Sequence, residues 1–251
     1  MSATARPSAS VFICALPRTG SSLVGLLLGQ NGFGRPAEWF WRDDVERNKQ
    51  AWGISRFEDY LVRVLDEGTS ERGVFGAKVM WGYLGDVLFE LRRLRGEFDA
   101  DDVSVLRSFF GEPSFVWVRR RDAVAQAVSW ARAVQTGQWA ANQPATGEAS
   151  FDFEQIDALY HVARIHDGCW RRWFDSQALE PFELVYEELC RDRERVTGEV
   201  LEYLGHQGDA ALEPPAFMHH QADAMNEDWA ARYREAVAGR PANDAPRGRG
   251  D

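Results

Sequence analysis

Short apolar runs alternate with helical patterns along most of the chain. The apolar runs predict strands over 10–16, 74–80, 115–118 and 182–186. Apolar positions at helical spacing predict helices over 21–30, 55–67, 83–95, 122–135, 153–177 and 194–204. Because strands separated by helices pair in parallel, the pattern predicts an α/β fold with a central parallel sheet covered by helices on both faces.

The same pattern predicts one domain over residues 10–237. We expect residues 1–9 to form a flexible N-terminus. The tail at 238–251, AGRPANDAPRGRGD, is rich in Gly, Pro and charged residues, and we expect it to be disordered. A long loop at 136–150 separates two predicted helices, and it is a candidate lid or interface segment.

A strand, a tight loop and a helix start follow one another in VFICALPRTGSS at 11–22. The apolar run breaks at Pro17, and the turn holds a single glycine, Gly20. Unpaired N–H groups at a helix N-terminus attract phosphate or sulfate. Further cationic and hydroxyl groups for an anion come from Arg18, Thr19, Ser21 and Ser22. The loop lacks the Walker A lysine, so an ordinary strand-to-helix turn with capping serines is the alternative.

A second group of cations follows the third predicted strand, in FVWVRRRDAVAQAVSWARAVQ at 115–135. Three arginines, 119–121, end the strand, and Asp122 is a predicted N-cap. Ser129 lies about two turns into the helix that follows. Ligands of parallel sheets bind at the carboxyl ends of the strands, so the two basic loops predict one shared anion site. A solvated charge cluster is the alternative.

These segments resemble the nucleotide motifs of sulfotransferases that use 3′-phosphoadenylyl sulfate (PAPS). PRTGSS resembles the loop that holds the 5′-phosphosulfate, and Arg121 with Ser129, eight positions later, resembles the pair that holds the 3′-phosphate. The order of further segments resembles the Stf0 family, which includes the bacterial trehalose 2-sulfotransferase type: GRPAEWF (34–40), FGAKVMW (75–81), FDFEQIDAL (151–159), WRRWF (170–174), YEELCRD (186–192) and QADAMNEDW (221–229). The resemblance runs from about residue 11 to about 235, and it implies a P-loop-like sulfotransferase fold.

The resemblance also implies roles for single residues. Glu38 would be the catalytic base, with a surface glutamate in a turn as the alternative. Arg18 would stabilise charge on the leaving oxygen. The implied contacts with PAPS come from Arg18, Thr19, Gly20, Ser21, Ser22, Arg121, Ser129 and Tyr186. If Glu38 is not the base, His219 and His220 are the next candidates.

Several residues keep two interpretations at this point. The aromatic side chains of Trp39, Phe40 and Trp52 would form the acceptor wall, or they pack in the core. Tyr186 would contact adenine, or it closes a strand half-buried. Lys78 ends a predicted strand, where it either faces the site or is solvated.

Composition limits the partners. The chain has 251 residues, 45% of them hydrophobic, and a net charge of −10, which argues against a general nucleic-acid surface. No apolar run approaches the ~20 residues that span a bilayer, and the N-terminus lacks the apolar segment of a signal peptide. Three separated cysteines fit a reduced cytosol and form neither a metal cluster nor a disulfide framework. We therefore expect a cytoplasmic protein.

The expected reaction is transfer of the sulfuryl group of PAPS to a hydroxyl of a carbohydrate or glycosylated small molecule, with trehalose the first acceptor to consider. We expect no metal, because a sulfuryl group carries less negative charge than a phosphoryl group. The resemblance further implies a homodimer. His220-Gln221-Ala222-Asp223 stands where the family often has Arg-Gln-Ala-Asp, which leaves the acceptor open. A P-loop-type nucleotide-dependent kinase and a non-catalytic PAPS- or sugar-binding homologue are the alternatives.

Overall fold

The computed structural model describes residues 6–140, 142–208, 211 and 224–239. Its sheet is parallel throughout and has the order β2-β1-β3-β4. The strands are β1 (Ala9–Ala15), β2 (Val74–Met80), β3 (Glu112–Arg119) and β4 (Phe182–Val185). The helices are α1 (Ser21–Gln30), α2 (Arg42–Trp52), α3 (Phe57–Gly68), α4 (Trp81–Arg95), α5 (Asp102–Phe110), α6 (Ala123–Thr136), α7 (Phe153–Ser176), α8 (Tyr186–Arg191), α9 (Arg193–Tyr203) and α10 (Ala224–Ala238). The predicted α/β class with a central parallel sheet is confirmed.

The register of the sheet brings the strand ends together. Ile13 of β1 lies opposite Lys78 of β2 on one side and Val116 of β3 on the other. Because all four strands run in the same direction, the loops that follow them meet at one edge of the sheet. This is the edge where ligands of open α/β sheets bind.

The core lies on both faces of β1, every residue of which is buried from Ser10 to Ala15. Its aromatic packing includes the ring of Phe12 against Phe115, with centroids 5.8 Å apart. On the α7 side, the buried indole of Trp170 donates to the carbonyl of Ala15 at 3.0 Å. This packing fixes the end of β1, from which the first basic loop departs.

A smaller cluster joins α6, α7 and α10, and Trp229 and Tyr233 of α10 are buried in it. The Tyr233 hydroxyl donates to Asp157 of α7 at 2.7 Å. None of the helices in the described part of the chain is both long enough and apolar enough to cross a membrane.

Four helices of the structure were not predicted from the sequence: α2, α5, α8 and α10. The helix α2 buries none of its residues, so its sequence has no apolar stripe to detect. Pairing also begins before the predicted domain boundary, because Ser8 donates to Gly73 at 3.0 Å and accepts from Glu112 at 3.1 Å. Residues 1–5 and 240–251 of the predicted termini lie outside the described residues.

Candidate functional site

The loop between β1 and α1 has two residues with left-handed backbone. Arg18 has a φ of 66° and Gly20, the N-cap of α1, has a φ of 85°. No side chain caps this end of α1 among the described residues. The N-terminal amides of α1 therefore keep the partial positive charge that attracts an anion.

The hydroxyl groups of the loop have different partners. Thr19 is buried, and its hydroxyl donates to the carbonyl of Leu16 at 2.9 Å. This corrects the expectation that the Thr19 hydroxyl is a donor for an anion, since it holds the turn instead. The Ser22 hydroxyl accepts from the ammonium group of Lys78 at 3.0 Å.

Tyr186 and Arg120 pack on the loop from the ends of β4 and β3. An ideal Cβ on Gly20 would lie 2.4 Å from Cδ2 of Tyr186, so the ring needs a glycine beneath it. The guanidinium of Arg120 lies 5.0 Å from the centre of that ring, and its Nη1 donates to the carbonyl of Arg18 at 3.2 Å. Burial, followed by a hydrogen bond with Cys190, raises the pKa of Tyr186 to about 12. The phenol is therefore neutral at physiological pH.

Gly20→Ala should lower the free energy of unfolding more than Gly53→Ala does. Gly53 also has a positive φ, 64°, but no atom lies within 4 Å of its ideal Cβ. Both variants introduce left-handed strain of ~1–2 kcal/mol. Only Gly20→Ala also displaces the Tyr186 ring, at a further ~1–3 kcal/mol. Denaturant titration of both variants measures the difference, and equal losses would contradict the packing of Tyr186 on Gly20.

The three successive arginines at the end of β3 have different surroundings. Arg119 forms a bidentate pair with Asp167 of α7 at 2.9 and 2.6 Å and also contacts Glu183. These contacts, with the Asp167 hydrogen bonds first, raise the pKa of Arg119 above its usual value. Its charge is thus neutralised within the protein, and its role is structural.

Arg121 and Ser129 are predicted to bind the same phosphate, but in the structure their side chains contact different residues. The guanidinium of Arg121 donates to Glu188 at 2.7 Å, and the backbone N–H of Arg121 donates to Glu187 at 3.0 Å. The Ser129 hydroxyl accepts from Nε of Arg18 at 2.9 Å. An anion that engages both residues would compete with Glu188 for the charge of Arg121, although the guanidinium keeps further N–H donors.

Arg120 is the member of the run that forms no ion pair with a described residue, and its Nε is buried without a hydrogen-bond partner. Burial, followed by the charge of Arg120, lowers the pKa of Arg18 from its usual value. Two half-buried cations thus influence one another, and an anion between them would relieve their repulsion. The sequence analysis placed Arg120 in the basic run but gave it no role of its own, and its position in the middle of the run was the signal available.

A cavity of about 280 Å³ opens beside this cluster. Its walls include Leu16 and Thr19 of the first loop, Gln126 of α6 and Val185 of β4, together with all three arginines 119–121. The amide of Gln126 donates to the carbonyl of Pro17 at 2.9 Å. The cavity therefore connects the first basic loop with the second, as expected from a shared site.

The loop 136–150 also contacts the first basic loop. The carbonyl of Trp139 accepts from Nη1 of Arg18 at 2.6 Å. The loop is folded back on α6, because Thr146 donates to the carbonyl of Thr136 at 2.8 Å. Its contact with Arg18 places it beside the site.

Glu38 reaches the same edge of the sheet by a single β-bridge between Ala37 and Ala77. The N–H of Lys78 donates to the carbonyl of Ala37 at 2.8 Å. The chain at Phe33 and Pro36 passes so close to Gly76 that a Cβ there would lie 2.6 Å from the Phe33 carbonyl. This glycine therefore permits the approach that delivers Glu38.

The side chain of Glu38 pairs with Lys78. Oε1 of Glu38 lies 2.9 Å from Nζ of Lys78, which is only 8% exposed. Of the two interpretations of Lys78, the solvated one is therefore wrong. Through Lys78, Glu38 is linked to Ser22 of the first loop.

The aromatic residues predicted to form an acceptor wall have packing roles. Trp39 is 3% exposed, and its indole donates to the carbonyls of Gly76 and Arg35. Phe40 is buried, and Trp52 stacks on Tyr60 with ring centres 5.6 Å apart. Their predicted contact with an acceptor therefore finds no support in the structure, since core packing occupies their faces.

Trp41 is the exposed aromatic side chain of this segment, at 43%. The backbone N–H of Trp41 donates to the Glu38 carbonyl at 3.3 Å. Its ring also lies 5.7 Å from that of Tyr83. The fallback bases His219 and His220, and the sequence 220–223, lie outside the described residues. Within the described ranges, no three His, Cys, Asp or Glu side chains cluster in a way that could hold a metal ion.

Comparison with known proteins gives one consistent result. Residues 10–236 match the model of the Stf0 sulphotransferase family. The chain is 32% identical to a trehalose 2-sulfotransferase of Mycolicibacterium smegmatis, over 88% of this chain and 93% of that protein. It is 27% identical to a trehalose 2-sulfotransferase of Mycobacterium tuberculosis, over 93% and 96%. A sulfotransferase structure from Alicyclobacillus acidocaldarius shares the fold, with a TM-score of 0.53, 17% identity and coverage of 93% and 94%.

Proposed function

The chain belongs to the Stf0 sulphotransferase family, and we propose that it transfers the sulfuryl group of PAPS to a hydroxyl of a carbohydrate. The observation that carries this proposal is the contact of Lys78 with both Glu38 and Ser22. It places a carboxylate that can accept a proton next to a helix N-terminus that can hold an anion. Those two elements are what transfer from an acid anhydride to an alcohol requires.

The residues present fit an anionic nucleotide. The N-terminus of α1 is uncapped by a side chain, and the buried Nε of Arg120 has no described partner. When bound, PAPS supplies the activated sulfuryl group. Arg18, the amides of α1 and the hydroxyls of Ser21 and Ser22 hold the phosphosulfate. The charge of Arg18 and the partial positive charge of the amides would stabilise the negative charge that grows on the leaving phosphate oxygen.

Glu38 is the proposed base. Its carboxylate accepts the proton of the acceptor hydroxyl as the new S–O bond forms and the S–O bond to the phosphate breaks. The Ala37 bridge and the indole of Trp39 fix the backbone on either side of Glu38, so the carboxylate is held rather than mobile. This is the positioning that lets a bound base work efficiently.

The rest of the nucleotide would contact the ends of β3 and β4. Arg121 and Ser129 are the proposed 3′-phosphate ligands, and Arg120 adds a second cation beside them. The neutral phenol of Tyr186 faces the loop and is the proposed contact for adenine. Thr19 and Gly20 contribute their backbone to the loop.

Trehalose is the first acceptor to test, because two relatives carry that activity in their names. The exposed ring of Trp41 beside Glu38 offers an apolar face to a sugar ring. We expect incubation with labelled PAPS, trehalose and a pool of cellular acceptors, in the presence of a metal chelator, to give a product heavier by one SO₃ in mass spectrometry. A need for added metal ions, or transfer of a phosphate group from ATP, would contradict the proposal.

A homodimer remains our prediction for the assembly, based on family resemblance, on the long loop 136–150 and on the many aromatic residues of the chain, a residue class that is enriched in interface cores. Light scattering at micromolar concentration should give twice the chain mass of 28.4 kDa. A mass equal to that of one chain would contradict it.

A further inference from the structure

Lys78 occupies an unusual place for a lysine. It lies near the end of β2 and is 8% exposed, although lysine side chains are seldom buried. Its Nζ lies 2.9 Å from Oε1 of Glu38 and 3.0 Å from Oγ of Ser22. One ammonium group therefore touches the proposed base and the proposed phosphosulfate loop at once.

The geometry of an in-line transfer determines where the Lys78 ammonium lies relative to the sulfuryl group. The sulfur passes from a leaving oxygen held by the loop to an attacking oxygen held by Glu38. The three other oxygens of the sulfuryl group point sideways from that line. A cation that contacts both ends of the line is therefore placed beside the sulfuryl oxygens.

The number of donors supports the same placement. A lysine ammonium has three N–H donors, and its two described acceptors are Glu38 and Ser22. The third N–H has no acceptor among the described residues, so it is available to a sulfuryl oxygen. The Ser22 hydroxyl, which accepts from Lys78, still has its own proton to donate to the phosphosulfate, and such chains of hydrogen bonds strengthen one another.

We propose that Lys78 is a catalytic residue, which bridges the base to the anion loop and donates its third N–H to an oxygen of the sulfuryl group. This rests on the proposed function. The S–O bond to the acceptor forms, the S–O bond to the phosphate breaks with its electron pair left on the phosphate oxygen, and the acceptor proton goes to Glu38. Lys78 keeps all its protons throughout and acts through charge and hydrogen bonding.

The test compares Lys78→Met, which removes the charge, with Lys78→Arg, which retains it. Arg92→Met is the matched control, because Arg92 is another partly buried cation, paired with Asp102 at 2.5 Å, and joins α4 to α5, away from the proposed site. The parameters are kcat and KM with PAPS and trehalose. Dissociation constants are also measured by calorimetry for PAPS and for adenosine 3′,5′-bisphosphate, which lacks the sulfuryl group.

Lys78→Met should lower kcat by ~10²- to 10³-fold, the usual loss for one charge-stabilising donor. It should also weaken PAPS binding more than bisphosphate binding, while KM for trehalose changes little. Lys78→Arg should recover part of kcat, and Arg92→Met should change thermal stability without changing kcat. A double-mutant cycle with Glu38→Gln should be strongly non-additive.

Near-parent kcat in Lys78→Met, with an unchanged preference for PAPS over the bisphosphate, would overturn the role. Equal weakening of both ligands would overturn the sulfuryl contact and leave Lys78 as a residue that shapes the loop. A parent protein that binds PAPS but sulfates no acceptor would instead overturn the proposed function. The binding comparison still tests Lys78 in that case.

Discussion

Glu38→Gln is expected to lower kcat by ~10²- to 10⁴-fold, the usual contribution of general-base catalysis. Glutamine has nearly the same shape and still accepts a hydrogen bond from Lys78, so the loss reports missing basicity rather than missing structure. Calorimetry should show PAPS affinity close to that of the parent, because the α1 N-terminus and the arginines hold the nucleotide independently.

The matched control for this variant is Glu67→Gln. Both glutamate side chains are 29% exposed and ion-paired, Glu38 with Lys78 and Glu67 with Arg35 and Arg63. Glu67 lies at the end of α3 and has no place in the proposed site, so Glu67→Gln should retain kcat. A Glu38→Gln enzyme with turnover near that of the parent would reject Glu38 as the base and make His219 and His220 the next candidates.

PAPS should raise the melting temperature of the parent protein more than adenosine 5′-phosphosulfate does, and without added metal. The two ligands differ only in the 3′-phosphate, whose charge-assisted hydrogen bonds contribute ~1.5–3 kcal/mol. Because bound ligand stabilises the native state by mass action, this difference corresponds to roughly 3–12 °C for a chain of this size. Arg121→Met should remove most of it.

Arg107→Met is the control for Arg121→Met. Both arginines are exposed and lie 2.7 Å from a glutamate, Glu112 for Arg107 and Glu188 for Arg121. Glu112 begins β3, at the edge of the sheet opposite the site. Equal melting shifts with the two ligands in the parent would reject the 3′-phosphate assignment of Arg121 and Ser129. A loss in Arg120→Met but not in Arg121→Met would transfer the role to Arg120.

The central strands of the sheet were predictable from the sequence because β1 and β2 are buried along almost their whole length. Such strands are continuous apolar runs, as in 74–80, where the predicted and observed bounds agree. The helix α2 was not predictable, because none of its residues is fully buried and its sequence RDDVERNKQAW is mostly polar and charged. The helix α10 packs on α6 through Trp229, Ala230 and Tyr233, and too few of its residues are buried for a clear stripe.

The candidate site was predictable where the chemistry is local. Arg18 and Gly20 belong to one short turn. The cation, the glycine and the start of the helix are adjacent in the sequence, so together they predict an anion-binding loop. The partners of the arginine run are not local, since Asp167, Glu183 and Glu188 come from α7, β4 and α8. The sequence therefore could not distinguish the neutralised Arg119 from Arg120.

The pairing of Glu38 with Lys78 was also beyond the sequence. The two residues are forty positions apart, and the bridge from Ala37 to Ala77 brings them together. For Trp39, by contrast, the sequence suggested a contact that the structure does not support. An aromatic residue next to the base suggested an acceptor contact, but its indole is bound to two backbone carbonyls and buried.

The most direct test of sulfuryl transfer is its stoichiometry with purified protein, PAPS and trehalose in the presence of a metal chelator. Adenosine 3′,5′-bisphosphate and sulfated trehalose are quantified in the same samples over time. We predict that they form in equal amounts with the parent protein, and that both nearly vanish with Glu38→Gln. Bisphosphate released together with free sulfate, with no sulfated trehalose or other sulfated acceptor, would contradict transfer to a carbohydrate hydroxyl.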